Sequence, residues 1–263
     1  MGHYTGLGSM QHGGKHSPVT DDEYLDAIQP YVKKGHIGMF QSAKNADEEL
    51  IFKVAHKGLS FLRVGANAGD GKTAVNAVKM VRRAGLEARY SLMKAYVLTP
   101  DELAAEATML ENAGVQAITI MDSAGYMFPE QAAEYTRKVK SAVSIPVGFH
   151  GHSNLGMAMA NAQAAEAAGA DFIDCGLMGM ARSAGNITTE GALAIFQRGG
   201  KALQYDFYAL LHFIDDKLMP AMEKEGYHTP IKPLDLILGY AGCHSSFVNT
   251  YKEVAKETAT DLY

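Results

Sequence analysis

Ala113-Gly114-Val115-Gln116-Ala117-Ile118-Thr119-Ile120-Met121-Asp122 carries the reading that decides the fold. A helix runs out on a small residue, glycine supplies the left-handed stop, and an apolar run then leads to a carboxylate. The same phrase recurs at Lys34-Gly35-His36-Ile37, Lys57-Gly58-Leu59, Ala84-Gly85-Leu86 and Ala168-Gly169-Ala170. Successive glycines lie 23, 27, 29 and 55 residues apart, the last being about two periods, with Val143 to Val147 as the intervening member. A fixed period marks a repeated supersecondary unit. The apolar runs 37–40, 61–64, 88–93, 117–121, 147–150 and 172–175 read as strands. Being apolar nearly throughout, they predict parallel strands buried on both faces. Thr20-Asp21-Asp22-Glu23 and Thr99-Pro100-Asp101-Glu102 are capping boxes, the second with proline at the first helical position. Leu103, Ala107 and Leu110 recur at helical spacing, as do Val75, Val78 and Val81. Strand and helix alternating at this period predict an α/β chain with a parallel sheet, of the TIM-barrel kind.

The contents fall short of eight βα units. Six strands are complete, residues 1–4 read as the tail of another, and segments 189–196, 207–222 and 245–262 read as helices. The expectation is a (β/α)8 barrel lacking its first βα unit. Residues 1–186 would form the incomplete core, and 187–263 the closing helices of the same domain. Losing a strand exposes sheet edges, which predicts association, either as a homo-oligomer or with another chain.

Composition excludes several functions. The 263 residues are 47% hydrophobic with a formal charge of −5, and the sequence pI is about 6.1. No basic excess supports binding to nucleic acid or to an anionic membrane. Two cysteines, Cys175 and Cys243, make no disulfide framework, and no apolar run is long enough for a membrane span. A soluble cytoplasmic α/β protein is expected.

Chemistry in such a fold gathers where strands end. Gln41, Asn67, Lys94, Asp122 with Ser123, and His150 with His152 all fall there. His150 and His152 share one face of an extended segment and could chelate a divalent metal, or could be exposed loop histidines. Two ligands are fewer than the usual three. Asp122 fits a ligand, a base, an outer partner or a turn cap. The loop from Ala181 to Asn186 fits an anion cradle or a plain connection. Gly65 to Thr73 imitates a phosphate loop but has five residues before its Gly-Lys where four are required, so no nucleotide is expected. His56 and His212 read as surface or packing residues. Met157, Met159, Met178 and Met180 read as core filler.

The segment from Gly148 to Gly156 (Gly-Phe-His-Gly-His-Ser-Asn-Leu-Gly), followed by Ala168 to Gly176, resembles the metal-dependent superfamily of HMG-CoA lyase and isopropylmalate synthase. Met121 to Gly125, Ala184 to Asn186, Leu238 to Gly242 with Ser245 to Phe247, and the opening His3 to Gly8 narrow the resemblance to the 4-hydroxy-2-oxovalerate aldolase family. It covers nearly the whole chain. It implies a divalent ion, commonly Mn2+ with Mg2+, Co2+ or Zn2+ as alternatives, held by His150 and His152. Ser123 would lie near the pyruvate carboxylate, and Tyr240 beside the hydroxyl-bearing end of the substrate. The implied reaction is cleavage of a 4-hydroxy-2-oxoacid to pyruvate and an aldehyde, with an aldehyde dehydrogenase as partner. The family's Asp-x-x-x-Arg-Asp motif, which supplies the third ligand, an enolate-steadying arginine and, just after it, the histidine taken as base, has no counterpart here. Either the site is completed in a longer or two-chain form, with low activity expected of this chain alone, or the chain works alone on altered chemistry with Asp122 or His3 as substitute ligand; no catalytic base is assigned. Two alternatives remain: a non-catalytic or partner-completed remnant of the fold, and a related 2-oxoacid condensing enzyme.

Overall fold

The computed structural model describes residues 6–9, 18–227, 238 and 241–260. Strands and helices alternate as expected: α1 (Asp21–Ile28), β1 (Gly38–Ser42), α2 (Glu48–His56), β2 (Phe61–Asn67), α3 (Gly71–Arg83), β3 (Glu87–Met93), α4 (Pro100–Asn112), β4 (Ala117–Asp122), α5 (Pro129–Ala142), β5 (Val147–Gly151), α6 (Ala158–Ala167) and β6 (Phe172–Asp174). Helices α7 (Thr189–Arg198), α8 (Phe207–Phe213), α9 (Met219–Lys224) and α10 (Val248–Thr258) follow among the described residues. The strands form a six-stranded sheet in chain order, and β1 to β4 pair in parallel.

The local signals work as read. Both capping boxes form, and Thr99 accepts from the Glu102 amide while Glu102 returns to the Thr99 amide. Gly58, Gly85, Gly114 and Gly169 all adopt positive φ and end helices α2, α3, α4 and α6. Gly35 does not. Helix α1 stops at Ile28, and a 3-10 turn from Gln29 to Tyr31 follows, because Pro30 has no N–H to continue the ladder. The continuous helix expected over 207–222 is broken by a π turn from Ile214 to Leu218.

The chain packs as two compact units. One comprises 1–121 with 137–148, the other 122–136 with 149–263, so the boundary passes through β4 and β5. In the first unit, Ala74, Ala77, Val78 and Val81 of α3 are buried, as are Leu62 and Val64 of β2 and Ala88, Tyr90 and Leu92 of β3. Here the expectation of burial on both faces is corrected. β1, β2 and β3 begin with alternating burial, since Phe40, Phe61, Arg63, Glu87 and Arg89 share the less buried face. That face has its own packing. The Arg89 guanidinium lies 3.9 Å from the centre of the Phe61 ring, and Phe61 occupies the space a side chain at Gly38 would need.

In the second unit β6 is only half-buried along its length. It borders an open groove of about 710 Å³ lined by Phe172, Ile173, Leu193, Phe196, Tyr205 and Leu210 among others. The four methionines read as core filler are likewise not core. Met157 is exposed and Met159, Met178 and Met180 are half-buried, Met159 on a partly exposed position of α6 and the other three on the connections before α6 and after β6. His56 and His212 are exposed on helices, as expected.

The imitation phosphate loop is filled from within. The Gly69 amide donates to Glu106 Oε2 at 2.7 Å and the Gly71 amide to Oε1 at 2.6 Å, so a carboxylate of α4 occupies the donors at the start of α3. Glu106→Ala should destabilise the chain by about 1–3 kcal/mol, read by urea unfolding, because two amides lose an ionised acceptor. ATP should leave the wild-type Tm unchanged.

Candidate active site

The histidine pair and its surroundings all belong to the second unit. Asp122, the last residue of β4, is fully buried. Its Oδ1 accepts from the Tyr126 amide at 2.9 Å and its Oδ2 from the Met127 amide at 3.0 Å. Both oxygens therefore hold the turn after β4, which is the capping alternative. Burial pushes the carboxyl up to about 6, against the lowering effect of these amides and of His150. Ser123 follows, 6% exposed, at the same strand end.

The Asp122 carbonyl accepts the His152 amide at 3.1 Å, which sets the end of β5 beside the end of β4. On the other side the Ser153 amide donates to the Gly185 carbonyl at 2.9 Å, Asn154 Nδ2 donates to Ser183 Oγ at 2.8 Å, and His152 forms an antiparallel bridge with Asn186. Residues opposed in such a bridge project side chains to one face, with Cβ atoms about 4.5–5.5 Å apart. The loop read as a cradle or a plain connection is thus stitched directly to the histidine segment. Gly125 makes the close approach feasible. Its φ is +61°, and a Cβ there would sit 2.5 Å from the Asn154 nitrogen and 2.7 Å from the His152 carbonyl oxygen.

The two imidazoles lie edge to face, with ring centres 5.3 Å apart and an interplanar angle of 64°. His150 Nδ1 lies 3.3 Å from Asp174 Oδ2 at the end of β6. That contact is an ion-pair distance without hydrogen-bond geometry, and the nitrogen makes no hydrogen bond. His152 is 6% exposed, and burial holds its pKa far below the ordinary histidine value. The charges of His150, Arg182 and His244 add to the same effect. A neutral imidazole is the form that ligates metal. The side-chain oxygen of Asn186 is buried and lacks a hydrogen-bond partner. Among the described residues no three His, Cys, Asp or Glu side chains cluster as a metal site. Two imidazoles, His152 held neutral by burial, and one unsatisfied amide oxygen nevertheless have the donor chemistry to suit a divalent ion.

The guanidinium of Arg182 donates to His244 Nε2 at 2.7 Å, and His244 Nδ1 lies 2.8 Å from Ser246 Oγ. Sequence reading passed over Arg182, His244 and Asp174 as individuals. Asp174 alone had a usable signal, a carboxylate at a strand's C-terminal end. Gln41, Asn67 and Lys94 fall in the other unit. There Gln41 clips its own turn through the Ser42 and Asn45 carbonyls, and Lys94 is the left-handed cap of a 3-10 turn. Tyr240 and His3 lie outside the described residues.

Comparisons with known proteins bear on this site. The family model described as HMGL-like matches residues 68–216, a stretch that holds the histidine pair and the Asn186 loop. Proteins named 4-hydroxy-2-oxovalerate aldolase match over nearly the whole chain. The Moorella thermoacetica protein is 32% identical over 97% of this chain and 75% of its own length, and that of Streptomyces griseus 33% over 99% and 76%. This chain belongs to the HMGL-like family, among the 4-hydroxy-2-oxovalerate aldolases. It is a lyase-type enzyme. Solved structures agree at the level of fold. The N-terminal domain of a candidate aldolase from Bacteroides vulgatus superposes with a TM-score of 0.76 at 20% identity, over 93% of this chain and 84% of that one. The carboxyl transferase domain of Rhizobium etli pyruvate carboxylase gives 0.75 at 15% identity, over 92% and 43%.

The family's histidine segment depends here on Gly125. Gly125→Ala should cost about 2–5 kcal/mol in denaturant unfolding, combining positive-φ strain with overpacking against Asn154 and His152.

Proposed function

We propose that this enzyme cleaves a 4-hydroxy-2-oxoacid to pyruvate and an aldehyde with the help of a divalent metal. The observation that carries the reading is the pair of imidazoles beside the unsatisfied oxygen of Asn186. His150, His152 and Asn186 would hold the ion. Such an ion supplies Lewis-acid stabilisation for the electron pair left on pyruvate when the C3–C4 bond breaks. The chain's own residues do the rest. Burial keeps His152 neutral and ready to ligate. Asp174, 3.3 Å from His150 Nδ1, would orient that ring, with Nε2 as the nitrogen left for the ion. Asp122 gives both oxygens to amides of the turn, so its part in this reading is to hold the β4 end rather than the ion. Ser123 at the β4 end and Tyr240 are the substrate contacts in this reading, and Mn2+ is the preferred ion.

The test is Mn2+ binding by the purified chain, together with pyruvate release from 4-hydroxy-2-oxopentanoate. The expected result is stoichiometric Mn2+ and metal-dependent pyruvate; a chain that binds no divalent ion and releases none would sink the proposal. His150→Ala should weaken Mn2+ binding by more than about tenfold, and Asp174→Asn by about 10- to 100-fold through the orienting contact alone. Self-association and an aldehyde dehydrogenase partner belong to the same reading. A monodisperse monomer in sedimentation velocity would remove the first.

A further inference from the structure

Arg182 leaves the loop at the point where that loop is sewn to the histidine segment. Ser183, the next residue, bonds Asn154, and Gly185 bonds Ser153. Ser183 holds a left-handed backbone at φ +60°, a conformation that a non-glycine residue keeps only when its surroundings impose it. Gly185 is equally constrained, since a Cβ there would lie 2.7 Å from the Gly179 carbonyl oxygen. The base of Arg182 is therefore rigid, while its side chain reaches an exposed position.

Its tip is held too. Arginine only donates, so the 2.7 Å contact makes His244 Nε2 an acceptor. Neutral His244 then carries its proton on Nδ1 and donates it to Ser246 Oγ at 2.8 Å. The Ser246 amide, 3.2 Å from Nδ1, is not a hydrogen-bond donor in that tautomer. His244 is 7% exposed, so the post that carries the guanidinium is itself buried. Nη2 is committed to His244, and a guanidinium has five donors in one plane, a fork that matches a carboxylate. Arg182 is also close enough to His152 to act on its charge. A held cation on the loop sewn to residues 152–154, close enough to act on His152, suits a ligand that carries a carboxylate next to a group for the metal, which describes a 2-oxoacid.

We propose that Arg182 binds the substrate carboxylate and that His244 is the positioning residue that aims it. The proposal rests on the 2-oxoacid reading above. Mn2+ binding by electron paramagnetic resonance and pyruvate binding to the Mn2+-loaded chain by calorimetry test it together. Arg182→Gln should keep wild-type Mn2+ affinity and weaken pyruvate by at least about tenfold, and Arg182→Lys should fall between them, keeping the charge without the fork. His244→Ala should weaken pyruvate with Mn2+ unchanged, and His244→Gln, whose amide oxygen can accept from the guanidinium, should restore part of the loss. A merely structural role for His244 would lower Tm in both variants without that rescue, and would overturn its part. If Arg182→Gln retains Mn2+ and binds pyruvate within about twofold of wild type, the assignment of Arg182 is overturned while the metal-aldolase reading stands. If the wild-type chain binds neither Mn2+ nor pyruvate, both fail.

Discussion

The end of β5 is suspended between two backbone hydrogen bonds, one from His152 to the Asp122 carbonyl and one from Ser153 to the Gly185 carbonyl. Everything the site can do depends on them. Strand ends are ordinarily free to fray, and histidines on a frayed end would sample many positions. Here the segment has a neighbour on each side, and the 5.3 Å separation of the rings follows from that constraint. The carboxylate of Asp122 secures one side by taking two amides of the following turn. The absence of a Cβ at Gly125 lets that turn close onto Asn154. The other side is secured by a loop in which Ser183 and Gly185 both take left-handed conformations.

The electrostatics of this unit follow from the same closeness. Burial would raise the cost of any charge at His152, and the neighbouring positive groups act in the same direction. At Asp122 the influences oppose one another: burial raises its pKa while amides and His150 lower it, and burial wins. Two neighbouring strand ends thus present a neutral imidazole and a carboxyl pushed up to about 6, neither with its ordinary titration. Such pairs of displaced groups cluster at functional sites because solvent is excluded there.

The first unit shows how an anion-binding feature can be spent on structure. Backbone amides at the start of α3 would suit a phosphate, yet Glu106 reaches across from α4 and occupies them. The spacing rule had excluded a nucleotide there, and the filled cradle supplies a separate physical reason. The same principle disposes of Gln41, whose amide is consumed by two carbonyls of its own turn. Polar residues at strand ends are as often clips as they are ligands.

The order and direction of the sheet were legible in the chain, since apolar runs, capping boxes and left-handed glycines are local and act through sterics and nearest hydrogen bonds. All six strands from β1 to β6 fall where those runs lie. The spacing of His150 and His152 was legible for the same reason, because alternation along a strand needs no tertiary information. Burial was less legible: a run such as Phe61-Leu62-Arg63-Val64 already carried a charged residue on one face, yet its apolar average pointed to a strand buried on both. What only the tertiary structure decided were the relations between residues far apart in sequence: Arg182 with His244, His150 with Asp174, and Asn186 opposite His152. No periodicity encodes those pairs. The last two exist because β5 and β6 end side by side, and that adjacency belongs to the sheet rather than to any stretch of the chain.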